Sequence, residues 1–133
     1  MSRLLLSHAV NPANDKLEVE VHDEPGAGGA CNVYTISGYH ASTNPGATLL
    51  PSAPVGVTEI LFQNGPIAEV GVNGITHEAL LAILIDRLEH FERGPFACKE
   101  NERALVGLQQ AQYWLHQRTK GRMDRGVEGT HKV

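Results

Sequence analysis

Two stretches of helical period, parted by Gly94-Pro95, constrain this chain's fold more than anything else in it. From Thr76 onward, Leu80, Leu81, Leu84, Leu88 and Phe91 recur at the spacing of one helix face, with Thr76 placed as N-cap and Glu78 in the first turn. Glycine followed by proline stops that helix. A second pattern then runs from about residue 97 to residue 125, with Leu105, Leu108, Ala111 and Leu115 on one face and Gly126 placed as a left-handed cap. So short a break between two helices predicts an antiparallel hairpin. The second helix, about 28 residues and roughly 42 Å long, outruns the first by about ten residues. Its overhanging end carries Arg118, Arg122 and Arg125. Ala104, Gly107, Leu108 and Ala111 permit close helix approach, which suggests an oligomer whose neighbours cover the overhang. The alternative is cover by the chain's own N-terminal part.

The N-terminal part has the other periodicity. Residues 16–22 alternate Leu17, Val19 and Val21 against Glu18 and Glu20, as in a half-buried strand. A turn at Pro25-Gly26-Ala27-Gly28-Gly29 separates it from a second β-favouring run over residues 32–39. Residues 40–56 read as a long loop. Two more strands are predicted over residues 57–63 and 67–72, joined by a hairpin turn at Asn64-Gly65-Pro66. The expected fold is α+β: an N-terminal antiparallel β-sheet followed by a C-terminal two-helix antiparallel hairpin. It is read as a single domain over residues 1–133, with a β-rich part to residue 74, the hairpin over 75–126 and a tail over 127–133.

Composition is that of an ordinary soluble domain, 133 residues with 41% hydrophobic and 20% charged. No apolar run reaches the roughly 20 residues that a membrane helix needs. Cys31 and Cys98 lie far apart and form no disulfide framework, which fits a reducing compartment. Charge is unevenly placed. From Leu17 to Asp86 there is no Lys or Arg, whereas from Arg87 onward nine basic residues face six acidic ones. The net charge of −4 argues against a general binder of nucleic-acid polymers, and a local basic cluster suits a small anion.

Arg118, Arg122 and Arg125 fall at i, i+4 and i+7, so their charges repel unless acceptors intervene. Arginines are also common in last turns, where the carbonyl end of the helix favours cations. Thr119, Gly126, Gly129 and Thr130 add hydroxyls and unhindered N–H groups beside them. Asn101 offers an amide for a base or ribose, and Phe91 a ring for stacking or, equally well, for the core. The Gly26–Gly29 run lacks a phosphate-loop ending and reads as a hairpin turn. The seven histidines show no metal-ligand spacing, and no nucleophile elbow or grouped carboxylates stand out. The reading assigns no catalytic residue, no metal and no cofactor.

Several motifs carry a family resemblance: Phe62-Gln63-Asn64-Gly65-Pro66-Ile67, Glu69-Val70-Gly71-Val72-Asn73-Gly74, Gly94-Pro95-Phe96-Ala97-Cys98, Glu100-Asn101, Trp114-Leu115, Arg118-Thr119, Arg122 and Arg125-Gly126-Val127-Glu128-Gly129-Thr130. Over residues 57–130 the chain resembles the first-described Thoeris anti-defence signal sponges of phages. Their helical hairpin is shared with anti-CBASS cyclic-nucleotide sponges. The resemblance implies a hexamer in the cytoplasm of the infected host that holds immune signals without cleaving them. The implied ligands are 1″–3′ or 1″–2′ glycocyclic ADP-ribose from TIR enzymes and, for some members, cyclic trinucleotides such as cyclic tri-adenylate. By motif, the ADP-ribose type of ligand falls to Phe91, Asn101, Arg118 and Arg122, and a cyclic trinucleotide to Thr119, Arg125, Gly129 and Thr130. Family members can place a basic residue from the N-terminal sheet against the ligand, and here the stretch from Leu17 to Asp86 offers none. Two rivals stand beside this reading: an enzyme that degrades the same signals, and a ligand-free phage structural or assembly protein.

Overall fold

The computed structural model describes residues 2–133, apart from the side chain of Pro54. The chain divides into two compact units, one ending at Asn64 and one from Gly65 to Val133. The expected α+β class is what is found: a four-stranded antiparallel sheet in the first unit and two long helices in the second.

The sheet is a meander of β1 (Arg3–Leu5), β2 (Glu18–Val21), β3 (Val33–Ser37) and β4 (Val57–Leu61), in that order. Its register explains its two faces. Leu5 pairs with Val19, Val19 with Ile36, Val21 with Tyr34 and Tyr34 with Ile60, so these residues share one face. Val21, at its centre, is completely buried, and Phe62 meets the Tyr34 ring edge-on at 5.6 Å. On the other face Glu20, Thr35 and Glu59 lie in one row. Gly38 (φ 91°) follows the end of β3 and lies against the segment leading into β2, where any side chain would run into the Lys16 carbonyl. Residues 40–56 form three short 3-10 turns, the middle one capped by Asn44, whose Oδ1 accepts the Gly46 N–H at 2.9 Å.

Asp23 ties the end of β2 to the start of β3. Its carboxylate accepts the N–H groups of Asn32 (2.9 and 3.1 Å) and Val33 (3.1 Å). Burial alone would raise its pKa. The amides of Asn32, Val33 and Asp23 itself, with the His22 charge, outweigh that and hold it below the usual 3.8. A carboxylate whose folded pKa is depressed contributes stability that is present above the unfolded value and is lost as pH falls through the folded one. Urea midpoints of the wild type are therefore expected to drop below about pH 4, and those of Asp23→Asn to drop less steeply. Parallel acid limbs would show that Asp23 does not act this way.

Residues 3–5, for which the sequence pattern gave no element, form an edge strand. One expectation is corrected. Residues 67–72, expected to be a strand, instead hold a one-turn helix, α1 (Ile67–Val70). Pro66 and Gly71 bracket it, and its bonds are local: the Val70 N–H to the Pro66 carbonyl and the Gly71 N–H to the Ile67 carbonyl, both 2.9 Å. Its Ala68 N–H, which a strand would turn to a neighbouring strand, goes to the Gly129 carbonyl at 2.7 Å.

The hairpin is α2 (His77–Arg93) and α3 (Lys99–Asp124). Thr76 caps α2 through the Ala79 N–H at 3.2 Å, as expected, and Cys98 caps α3 through the Asn101 N–H at 3.4 Å. On α3 the half-buried residues Asn101, Leu105, Leu108, Gln112, Leu115 and Thr119 come three and four apart, the spacing of a coiled-coil seam. Each half-buried leucine contributes about 1 kcal/mol. Gln112 donates to the Glu78 carbonyl at 3.3 Å, so α2 begins level with Gln112. The rest of α3 runs on for roughly 18 Å.

Candidate functional site

The sequence-predicted residues fall at opposite ends of the hairpin. At the turn end, Phe91 in the last turn of α2 meets Phe96 at 6.4 Å between ring centroids. The Arg87 guanidinium lies 5.1 Å from the Phe91 ring centre. Both phenylalanines line an open groove of about 650 Å³ together with Ile83, Asp86, Arg87 and His90. Asn101 stands in the first turn of α3, where its Nδ2 donates to the Phe96 carbonyl at 3.4 Å. Thus Phe91, Phe96 and Asn101 form one neighbourhood. Arg87 was not singled out from sequence, although its i, i+4 spacing from Phe91 was the available signal.

At the far end, Arg118 is exposed and unpaired among the described residues, and Thr119 is half-buried in the seam. Seventeen residues of helix separate Arg118 from Asn101, about 25 Å. A single chain does not bring the four ADP-ribose-site candidates together.

Arg122 is in a different situation from Arg118. It is only 8% exposed, and the chain's own tail takes up its guanidinium. Nη1 donates to the Lys132 carbonyl (2.7 Å), Nη2 to those of Val127 and Thr130 (both 3.0 Å), and Glu128 stands 3.7 Å from Nε. Gly126 (φ 72°) makes the reversal, its N–H bonding the Met123 carbonyl. Arg125 donates to the Val133 carbonyl at 2.8 Å. The Gly129 N–H goes to Glu128, and the Thr130 N–H and hydroxyl both go to Val127. His131 reaches Glu69 of α1 at 2.9 Å. The cover over Arg122 thus comes from residues 127–132, which had been expected from neighbouring chains or the N-terminal sheet. Arg122, Arg125, Gly129 and Thr130 do meet, with their polar groups engaged in the fold of the tail. Among the described residues no group of acids, cysteines and histidines is arranged to hold a metal ion, and no helix is long and apolar enough to cross a membrane.

Residues 56–120, the last strand through most of the hairpin, match the family described as Acb2/Tad1, hairpin domain. A curated relative, Thoeris anti-defense 1 of Bacillus phage SBSphiJ7, is 48% identical over 71 residues, which are 53% of this chain and 50% of the relative. The match thus spans about half the length of that relative.

Proposed function

The chain belongs to the Acb2/Tad1 family through its helical hairpin, and from that premise we propose that it is a phage anti-defence protein that captures cyclic nucleotide immune signals without cleaving them. The observation that carries the reading is the division of labour along the hairpin. An aromatic groove with an amide beside it lies at one end, and an unpaired guanidinium at the other. A glycocyclic ADP-ribose asks for these groups: a ring under its purine, an amide for ribose or base, and a fixed positive fork for its pyrophosphate. Phe91 and Asn101 fill the first two roles, and Arg118 the third. Arg122 joins when it exchanges a tail carbonyl for a phosphate oxygen. With 25 Å or so between the two ends, the site needs two copies of the chain, one giving the groove and the other the arginines. Strands β2, β3 and β4 carry no Lys or Arg, since residues 17–86 contain none, and Arg3 of β1 is the one such residue in the strands of the sheet.

A homo-oligomer, a hexamer by family resemblance, then presents several such sites in the cytoplasm of the infected host. A cyclic trinucleotide such as cyclic tri-adenylate would go to the tail, at Thr119, Arg125, Gly129 and Thr130. Neither ligand calls for a nucleophile, a metal or a cofactor, because sequestration succeeds by affinity and copy number. The test is incubation with 1″–3′ and 1″–2′ glycocyclic ADP-ribose and with cyclic tri-adenylate. The protein is then retained by filtration and heated, and the released compounds are identified by mass spectrometry. Depletion followed by intact release is expected for at least one ADP-ribose isomer. Release of fragments alone would mean a degrading enzyme, and no depletion would leave a ligand-free assembly protein.

A further inference from the structure

The groups that cover Arg122 imitate an anion. Residues 127–132 turn back over the end of α3 and aim three carbonyl oxygens at one guanidinium, those of Val127, Thr130 and Lys132. They also set the Glu128 carboxylate 3.7 Å from Nε. A phosphate would present the same chemistry, a fork of oxygens bearing negative charge. The turn keeps its shape through its own bonds. The Thr130 N–H and hydroxyl both donate to the Val127 carbonyl, and the Lys132 N–H donates to the Thr130 hydroxyl at 3.3 Å. With only 8% of Arg122 exposed, no phosphate oxygen reaches its guanidinium while this turn is in place.

The other side of the turn is fastened to α1. The Gly129 carbonyl accepts the Ala68 N–H at 2.7 Å, and His131 Nδ1 lies 2.9 Å from the Glu69 carboxylate. The ion pair is open to water, its two side chains 76% and 53% exposed, and pairs of that kind hold weakly. The tail is thus gripped firmly at Arg122 and lightly at α1.

We propose that residues 127–133 are an autoinhibitory strap, an internal anion mimic that occupies Arg122 in the free protein and must lift before Arg122 can hold a phosphate or pyrophosphate. The identity of the competing ligand rests on the proposed function. The state that binds is then only partly populated. The apparent affinity is reduced by that fraction, and whatever loosens the strap raises it. The Glu69–His131 pair therefore acts on affinity with the opposite sign to an ordinary supporting contact: breaking it helps the ligand.

The test uses the full chain as wild type, His131→Ala, Glu69→Gln and the double variant, with far-UV circular dichroism to confirm the helices. Each is titrated with inorganic pyrophosphate and with 1″–3′ glycocyclic ADP-ribose, and amide exchange is followed at Ala68. Each single variant is expected to bind about threefold more tightly than the wild type, the size of an exposed ion pair. The double variant is expected to gain no more than either single one, because both substitutions remove the same pair. Exchange at Ala68 is expected to quicken in the variants, and also in the wild type when ligand is added, where ordinary binding would slow it. Unchanged or weaker binding in the variants, or slower exchange at Ala68 on adding ligand, overturns the strap and leaves capture itself standing. If neither compound binds any of the four proteins, the ligand reading falls and the strap falls with it.

Discussion

Arg122→Ala is expected to lower the stability of the second unit by about 2–4 kcal/mol and to release residues 127–133. The guanidinium donates to three tail carbonyls at 2.7–3.0 Å while almost wholly buried. Hydrogen bonds from a charged donor are worth about 1.5–3 kcal/mol each, and removing one partner of a buried charged group typically costs about 3–5 kcal/mol. The tail can recover part of this by turning its carbonyls to water, which sets the expectation below the simple total. Its release should also free Ala68, whose N–H now bonds the Gly129 carbonyl, and expose Glu69, now held by His131. Three readouts follow: a lower urea midpoint, faster proteolysis after Gly126, and faster amide exchange at Ala68. Arg122→Lys keeps the charge and loses the fork, so it should fall between the two. A midpoint within about 0.5 kcal/mol of wild type, the range of ordinary surface substitutions, would mean that the tail does not depend on this residue.

The hold of Arg122 on the tail shows what the sequence could and could not express. Local signals were legible. Thr76 and Gly94-Pro95 marked the limits of α2, the leucine spacing gave the seam, and the alternation at Val19 and Val21 gave a strand with its buried face. Residues 67–70 were misread because Ile67 and Val70 suit a strand by type. What decides their conformation is the bracketing by Pro66 and Gly71 and a bond to Gly129, some sixty residues on. The tail's return to Arg122 was hidden for a similar reason. Its partners are backbone carbonyls, which every residue has, so no side-chain pattern announces them. Of the candidate site, the residue types were legible, and their separation along α3 followed from helix length.

Arg118→Ala is expected to abolish nucleotide capture, by about 10²-fold or more in Kd, with fold and assembly kept. Arg118 is exposed and unpaired among the described residues, so its removal should change stability by no more than about 0.5 kcal/mol. At a pyrophosphate the balance differs. A bidentate guanidinium makes two charge-assisted bonds of about 1.5–3 kcal/mol each, and every 1.4 kcal/mol is tenfold in affinity. Arg118→Lys should keep part of the affinity, with a steeper dependence on salt, since a point charge replaces a directed fork. Isothermal titration with glycocyclic ADP-ribose measures all three proteins. Because Arg122→Ala disturbs the tail as well as any phosphate contact, Arg118→Ala is the cleaner probe of the site. A folded, assembled Arg118→Ala protein that binds within threefold of wild type would remove Arg118 from the site and, with it, the argument for a ligand shared between two copies.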